Sequence, residues 1–316
     1  MKIVVIGAVK STKWILEKLI AHDFKVMGVL GYESTNITNV SGWVDLKATA
    51  EFHNLPYLGF NKINDDVNLN WVKSLKPDCI FAVGFSQLLS EQWFSIPSFG
   101  CIGFHPTKLP QGRGRAPLAW IVHDLIEGAA TFFLMGTSAD DGPIFVQVPF
   151  SVAKDDDATS VEKKIEISIN SALDVWLPEL KNGIWNPLPQ NEKEAFYYGK
   201  RAPEDGLIDW RESSYQIDRL IKASTHPHPG AYSYFKSRKI LIWSSELENR
   251  LKIKGVIGRI LLIEKSKGYL IQTGNGLLWL KLIEFEKEIR VGDKLGFNVE
   301  DEIYKIKLLL TSAKQS

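Results

Sequence analysis

Residues 2–30, KIVVIGAVKSTKWILEKLIAHDFKVMGVL, decide the class of fold. The apolar run at 2–7 is typical of a central parallel strand, because such a strand is buried on both faces. Apolar residues at helical spacing follow over 14–20, and a second apolar run lies at 24–30. A strand, a helix and a second strand in this order predict the opening of a doubly wound α/β sheet.

The turn between the first strand and its helix lacks the pattern of a dinucleotide-binding loop. It consists of Gly7-Ala8-Val9-Lys10-Ser11-Thr12 and contains no Gly-x-Gly-x-x-Gly. Lys10 and Ser11 could hold a phosphate at the N-terminus of the helix. An ordinary N-cap by Ser11 or Thr12 explains the same residues, so both interpretations stay open.

The chain downstream continues this alternation of strands and helices. Apolar runs predict strands at 55–58, 77–83, 100–104, 129–135 and 143–148. Helical spacing predicts a long helix over 159–177, capped by Thr159, with an apolar face formed by Val161, Ile165, Ile169, Leu173 and Trp176. Together these elements predict an α/β, Rossmann-like domain over 1–185.

The composition changes after this helix. Residues 186–205 are rich in Pro, Asn and charged side chains, which is typical of a linker. Beyond them, short strands with Gly or Asn turns are expected at 239–243, 255–263, 268–272, 277–283 and 303–310. Their number and spacing predict a smaller C-terminal OB-like β-barrel domain over 206–316.

The overall charge limits the partners to be considered. The 316 residues include 38 Lys and Arg and 37 Asp and Glu, so the formal net charge is +1. Because polyanion binding depends on clustered excess Lys and Arg, this balance argues against nucleic acid as the main partner. No stretch of about 18 apolar residues occurs, so we expect no membrane span. The N-terminal apolar run is too short for a signal peptide, and we expect a cytoplasmic protein.

The two cysteines, Cys79 and Cys101, lie in apolar, strand-like runs. Buried free thiols are therefore expected, and two cysteines do not predict a disulfide framework. No spacing of His, Cys or carboxylate residues is typical of a metal site, so no metal is predicted.

The loop at 104–117, FHPTKLPQGRGRAP, has the composition of an active-site loop. It follows a buried strand and precedes a helix, which places it at the mouth of the sheet, and it holds a single histidine, His105. The turn with Asp140 and Asp141 should meet His105 at the same edge. A carboxylate beside an imidazole is the usual arrangement of a general base. No serine or cysteine lies in a nucleophile elbow, so acid/base transfer without a covalent intermediate is expected.

Several spaced motifs resemble those of the formyltransferases that use 10-formyltetrahydrofolate. In the loop and the following turn they are His105-Pro106-Thr107, Leu109-Pro110, Arg113-Gly114-x-Ala116-Pro117 and Asp140-x-Gly142-x-Ile144. Further motifs are similar to the C-terminal domain of methionyl-tRNA formyltransferase-like proteins: Arg201-x-Pro203-Glu204-Asp205-Gly206-x-Ile208-Asp209-Trp210 and Pro227-x-Pro229-Gly230-Ala231-Tyr232. The resemblance is closest to the amino-sugar N-formyltransferases.

This resemblance implies transfer of a formyl group from the folate to a primary amine. Members of the family use an Asn-x-His pair and an aspartate: the histidine takes the amine proton, the asparagine stabilises the oxyanion and the aspartate orients the histidine. Carried over, His105 is the base and Asp140 the orienting carboxylate, since the family spacing is Asp-x-Gly. The implied folate contacts are Phe85, Gln87, Leu88, Leu89 and Asp140.

Position 103 departs from the family pattern, because Gly103 stands where the family has its asparagine. Losing one oxyanion donor costs about 10²–10³ in rate. Three interpretations follow. A backbone N–H, Thr107 or Gln87 could substitute as donor, the formyl donor or acyl group could differ, or the protein could be a weakened relative that only binds. Because the other motifs persist, we favour an active enzyme.

The acceptor is the remaining question. The tRNA enzymes of this family carry a basic insertion after the second strand, whereas residues 32–39 contain no Lys or Arg. A nucleotide-linked amino sugar is therefore the first choice, and methionyl-tRNA is the alternative. Since arginine matches phosphate oxygens, the candidate substrate contacts are Lys10, Ser11, Thr107, Arg113 and Arg115. Apolar residues near 277–285 could form a homodimer contact.

Overall fold

The computed structural model describes residues 1–33, 40–296, 303–304, 306–308 and 310–311. It divides into two units, Met1–Arg201 and Ala202–Ser316. This boundary differs from the predicted linker at 186–205, because most of that segment packs on the first unit. There, Leu188 exchanges two backbone hydrogen bonds of 2.8 Å with Ile144.

The first unit contains the strands β1 (Lys2–Gly7), β2 (Lys25–Tyr32), β3 (Tyr57–Phe60), β4 (Cys79–Val83), β5 (Gly100–Thr107), β6 (Arg113–Gly114), β7 (Gly128–Leu134), β8 (Ile144–Phe150) and β9 (Tyr197–Tyr198). Seven of them form one sheet in the order β3-β2-β1-β4-β5-β7-β8, and β6 pairs separately with β9. The pairs from β3 to β5 are parallel, while β7 and β8 are antiparallel additions. The parallel part confirms the predicted Rossmann-like α/β fold, and the ends of β1, β4 and β5 meet at one edge.

The helices of this unit are α1 (Lys10–Ala21), α2 (Leu46–Phe52), α3 (Asp66–Leu75), α4 (Glu91–Phe94), α5 (Pro117–Asp124) and α6 (Ala158–Lys181). The predicted apolar face of α6 is confirmed, since its residues are all buried: Val161, Ile165, Ile169, Leu173 and Trp176. The predicted cap by Thr159 is wrong. Asp157 is the N-cap, and its Oδ1 accepts a hydrogen bond of 2.8 Å from the backbone N–H of Ser160.

The start of α1 packs tightly against the end of β4. Val9 is the N-cap, so neither Ser11 nor Thr12 occupies that position. The buried hydroxyl of Thr12 instead donates to the carbonyl of Val83 at 2.9 Å. A Cβ on Gly7 would lie 2.2 Å from Thr12 Oγ1 and 2.3 Å from Val83 O, so this junction requires glycine.

The second unit consists of α7 (Ser214–Ser224) and the strands β10 (Ala231–Phe235), β11 (Arg238–Glu248), β12 (Ile260–Glu264), β13 (Gly268–Gln272) and β14 (Leu277–Glu284). The strands form an antiparallel sheet in the order β10-β11-β14-β13-β12. Trp210 and Ile221 are buried against this sheet together with Ile242 and Leu278. A separate, smaller β-domain is thereby confirmed, and its closure into an OB-like barrel stays a prediction.

One expectation for the second unit is wrong. The strand expected at 303–310 is not observed, because the described residues there are helical. The residues proposed for a homodimer contact lie in and just after the central strand β14. Leu278, Trp279 and Leu280 are at most 1% exposed and form core, whereas Leu282 is 56% exposed, so the homodimer contact stays a prediction.

Cys79 and Cys101 are free and buried, as predicted. Burial raises the pKa of the Cys101 thiol to about 12, so this thiol stays protonated and unreactive near neutral pH. Within the described ranges, no helix combines the length and the apolar character needed to cross a membrane. The same part of the chain holds no cluster of three or more His, Cys, Asp or Glu suited to a metal ion.

Candidate functional site

His105 lies near the end of β5 and is only 6% exposed. Its Nε2 is 2.9 Å from the carbonyl oxygen of Gly112, and its Nδ1 is 3.5 Å from Oδ2 of Asp140. Because a carbonyl oxygen can only accept, Nε2 carries a proton in this geometry and Nδ1 is free to take a second. Both ring nitrogens face acceptors, which suits an imidazole that has just gained a proton.

Asp140 lies in the loop that joins β7 to β8. Its Oδ2 also accepts a hydrogen bond of 2.9 Å from the backbone N–H of Gly114. Its φ of 57° is in the left-handed region, which aspartate tolerates better than most residues. Two residues on, a Cβ on Gly142 would lie 1.7 Å from Leu134 O, so the Asp-x-Gly spacing reflects a close backbone approach. The structure thus brings Asp140 and His105 together at one edge of the sheet.

Arg113 lies in β6, shortly after His105 in the chain, and its side chain is 1% exposed. Nε and Nη2 donate to Gln190 Oε1, Nη1 and Nη2 to the Glu192 carboxylate, and Nη1 to the Tyr197 hydroxyl. All five N–H donors of the guanidinium are therefore used. Hydrogen bonding to Glu192 holds the pKa of Arg113 above its usual range and lowers the pKa of Glu192. The protein itself therefore engages every donor that Arg113 would offer to a diphosphate, and the role of Arg113 as a substrate contact stays a prediction.

The residues that Arg113 holds belong to a segment we call the strap, residues 186–201. Its strand β9 pairs with β6, where the N–H groups of Arg113 and Arg115 donate to strap carbonyls at 3.1 Å. Tyr198 stacks on Trp120 of α5, with ring centroids 5.4 Å apart. Sequence reasoning missed the strap as part of the site, because its contacts are distant along the chain and follow no period.

Replacing Arg113 with methionine is expected to lower the melting temperature by about 4–8 °C, since several charge-assisted hydrogen bonds are lost together. Calorimetry or a thermal melt followed by circular dichroism measures the change. The exposed Arg115→Met variant is the matched control and should melt like the wild type. Equal melting temperatures for the two variants would show that the Arg113 network contributes nothing to stability.

The other predicted substrate contacts differ in accessibility. Lys10 Nζ pairs with Glu162 at 2.5 Å, and the hydroxyl of Thr107 donates to Gly112 O at 3.2 Å. Both side chains are therefore engaged by the protein itself. Ser11 is partly exposed in the first turn of α1, and Arg115 is exposed. These two and the Lys10 side chain, which is 43% exposed, remain accessible to an anionic group.

The predicted folate loop, 85–89, is fixed by two amide side chains. Gln87 Oε1 accepts from the N–H of Ile63 at 2.8 Å, and its Nε2 donates to Asn61 O at 2.7 Å. Asn64 Nδ2 donates to Leu88 O at 3.0 Å. Asn64 was not foreseen, because a single asparagine in a loop carries no recognisable pattern. The segment between β3 and α3 thus holds the loop in place.

The apolar residues of this loop point to different environments. Phe85 packs edge-to-face on Phe60 with ring centroids 5.9 Å apart, and Leu89 is buried. Leu88, in contrast, is 73% exposed. An exposed leucine on a well-anchored loop offers an apolar surface at the same edge of the sheet as the end of β4.

Gly103 lies in β5, directly opposite Phe133 of β7. A Cβ at this position would lie 2.6 Å from Phe133 Cζ and 2.9 Å from Met135 Cγ. Phe133 is 3% exposed, so its ring fills the space that a larger side chain at 103 would need. The side chains of Gln87 and Thr107, considered above as substitute donors, make the hydrogen bonds already described.

Two family models match the chain and together cover most of it. Residues 1–173 match a model described as formyl transferase. Residues 200–294 match a model described as formyl transferase, C-terminal domain. The two matches fall on the two structural units.

Solved structures of low sequence identity share this fold. HypX from Aquifex aeolicus, solved with tetrahydrofolic acid, has a TM-score of 0.65 and 16% identity, over 90% of this chain and 44% of that chain. This chain therefore spans less than half of HypX. An N-formyltransferase from Helicobacter canadensis, solved with folinic acid and dTDP-3-aminofucose, has a TM-score of 0.65 and 17% identity, over 89% of this chain and 99% of that one. Methionyl-tRNA formyltransferase from Clostridium thermocellum has a TM-score of 0.54 and 17% identity, over 79% of this chain and 95% of that one.

Proposed function

Because the chain belongs to the formyl transferase family, we propose that it transfers a formyl group from 10-formyltetrahydrofolate to a primary amine. The observation that carries this proposal is the buried His105 with its Nδ1 3.5 Å from Asp140 Oδ2. A histidine paired with a carboxylate at the mouth of an α/β sheet is suited to general base catalysis.

The donor supplies the formyl group, and the chain supplies the proton transfers. His105 Nδ1 takes the proton that the amine loses as its nitrogen bonds to the formyl carbon. The same proton is returned to the folate nitrogen as the bond between that nitrogen and the formyl carbon breaks, so the charges balance. Asp140 stabilises the doubly protonated imidazole, and Gly112 O keeps the ring oriented. The loop at 85–89, with the exposed Leu88, is the proposed apolar contact for the pterin.

The proposed acceptor is a nucleotide-linked amino sugar. In support, the Helicobacter protein was solved with dTDP-3-aminofucose, and this chain aligns with 99% of its length. Residues 32–39 lack Lys and Arg, and the net charge of +1 gives little attraction for a tRNA. The phosphates of such a sugar would be met by the exposed Arg115 and by Ser11 at the start of α1.

The test is a transfer assay with purified protein, 10-formyltetrahydrofolate and a panel of nucleotide-linked amino sugars, with mass spectrometry of the products. Formylation of at least one amino sugar is the expected result, and the matching hydroxy sugars, which lack the amine, should give no product. Methionyl-tRNA is tested as an acceptor in a separate reaction of the same assay. Formylation of the tRNA alone would replace the proposed acceptor, and no turnover with any amine would refute the transferase activity.

One observation favours a second candidate, a relative that binds folate and sugar with impaired catalysis. Phe133 and Met135 occupy the space next to Gly103, so no side chain there can donate to an oxyanion. Isothermal titration with tetrahydrofolate separates the two candidates. Tight binding without measurable transfer favours the impaired relative, whereas binding with turnover favours the enzyme.

A further inference from the structure

We propose that Gln190, in the strap, is a positioning residue that holds Asp140 against His105. Only the expected change in the rate of formyl transfer rests on the proposed function; the structural role of Gln190 does not. Gln190 Nε2 donates to the carbonyl oxygens of Asp140 and Gly142, at 2.8 and 2.7 Å. The same amide accepts from Arg113 through Oε1, at 2.9 and 3.2 Å. One side chain therefore links the loop of the carboxylate to the loop of the imidazole.

The Asp140 loop needs such support. Residues 136–139, immediately before Asp140, are largely exposed, so little packing holds this side of the loop. Asp140 also has a left-handed backbone, a strained conformation that persists only where the surroundings fix it. The two hydrogen bonds from Gln190 go to the carbonyl of Asp140 itself and to that of Gly142, two residues further on. They fix the backbone on which the carboxylate is mounted.

The other half of the link reaches the residues around His105. Arg113 stands between Gly112, whose carbonyl faces His105 Nε2, and Gly114, whose N–H faces Asp140 Oδ2. Because the Arg113 side chain is buried and uses all its donors, its backbone neighbours have little freedom to shift. Gln190 thus sets the distance between Asp140 and both of its partners.

The alternative is that Gln190 only fastens the strap to the first unit, which would make its role one of stability. Three backbone amides distinguish these roles. The N–H groups of Arg113 and Arg115 bond to strap carbonyls, whereas that of Gly114 bonds to Asp140. Hydrogen exchange at Gly114 therefore reports the position of Asp140, and exchange at the two arginines reports the strap.

The decisive variant is Gln190→Glu in the full chain. A carboxylate keeps the acceptor for Arg113 but presents an oxygen, instead of an N–H donor, to the carbonyls of Asp140 and Gly142. We expect the Gly114 amide to exchange about tenfold faster while the amides of Arg113 and Arg115 stay protected. We also expect kcat to fall by about 10²-fold with KM unchanged, because misplacement of a catalytic group affects the reaction rather than binding.

Gln190→Met removes both sets of hydrogen bonds at similar volume and replaces the first variant if that variant does not fold. Gln92→Met, on the exposed face of α4, is the matched control and should leave all three amides as they are. Unchanged exchange at Gly114 in a folded variant overturns the proposal, as does equal acceleration at all three amides. Faster exchange at Gly114 alone, in a protein whose wild type transfers no formyl group, supports the positioning role and refutes the proposed function.

Discussion

Replacing His105 with glutamine is expected to lower kcat for formyl transfer by about 10²–10⁴-fold, the range typical of a lost general base. The glutamine Nε2 can still donate to Gly112 O, which now lies 2.9 Å from the imidazole. Thr107 also donates to that carbonyl, so the loop keeps its anchor. What disappears is Nδ1, the atom that faces Asp140 and is the proposed proton acceptor. The fold and the binding of folate should therefore survive.

The measurement is a steady-state assay beside a thermal melt and a folate titration. His123→Gln is the matched control, because His123 is partly exposed on α5 and lies beside Asp124, a second histidine–carboxylate pair. This control should keep the wild-type rate. A His105→Gln protein that retains more than about a tenth of the wild-type kcat would exclude His105 as the base.

Placing an asparagine at position 103 should have the second large effect on kcat, but only if the space next to Gly103 is enlarged. Gly103→Asn alone is expected to lower the free energy of unfolding by about 1–3 kcal/mol, because the new Cβ overlaps Phe133 and Met135. Its kcat should not rise, since the buried Phe133 ring blocks the side chain. Chemical denaturation measures the loss of stability.

Adding Phe133→Leu removes the ring atoms that crowd Gly103 most and leaves the flexible Met135 side chain to adjust. With this space open, Gly103→Asn should raise kcat by about 10²–10³-fold over Phe133→Leu alone, the typical contribution of one oxyanion donor. The single Phe133→Leu variant is the control for the loss of core packing. If the double variant gains nothing, another group already stabilises the oxyanion, and the impaired-relative candidate loses its support.

Periodic and motif-based features could be predicted from the sequence because they are local. The buried face of α6 follows from one apolar residue per turn, and its residues are buried in the structure. The meeting of His105 and Asp140 is expected from the spaced His-Pro-Thr and Asp-x-Gly motifs, and the two side chains lie 3.5 Å apart. The two expectations rest on spacing within short stretches, which is where single sequences are informative.

Features that depend on distant contacts could not be predicted. The strap has the Pro, Asn and charge content of a linker, and its order comes from Arg113, 77 residues before Gln190. The crowding at Gly103 depends on the antiparallel register that places it opposite Phe133. The run at 303–310 is apolar without a decisive period, and its described residues are helical rather than extended.

The distance along the chain between the strap and the His105–Asp140 pair has a consequence for the synthesis of the protein. A growing chain that has reached residue 185 already contains every strand of the large sheet and all of α6. It also contains His105 and Asp140, yet the whole strap, 186–201, with Gln190 is still missing. On the ribosome, the large sheet can therefore fold before the hydrogen bonds between Gln190 and the Asp140 loop form. Those hydrogen bonds form only after the last residues of the unit have been added, so a chain that stops before the strap carries His105 and Asp140 without the proposed support from Gln190.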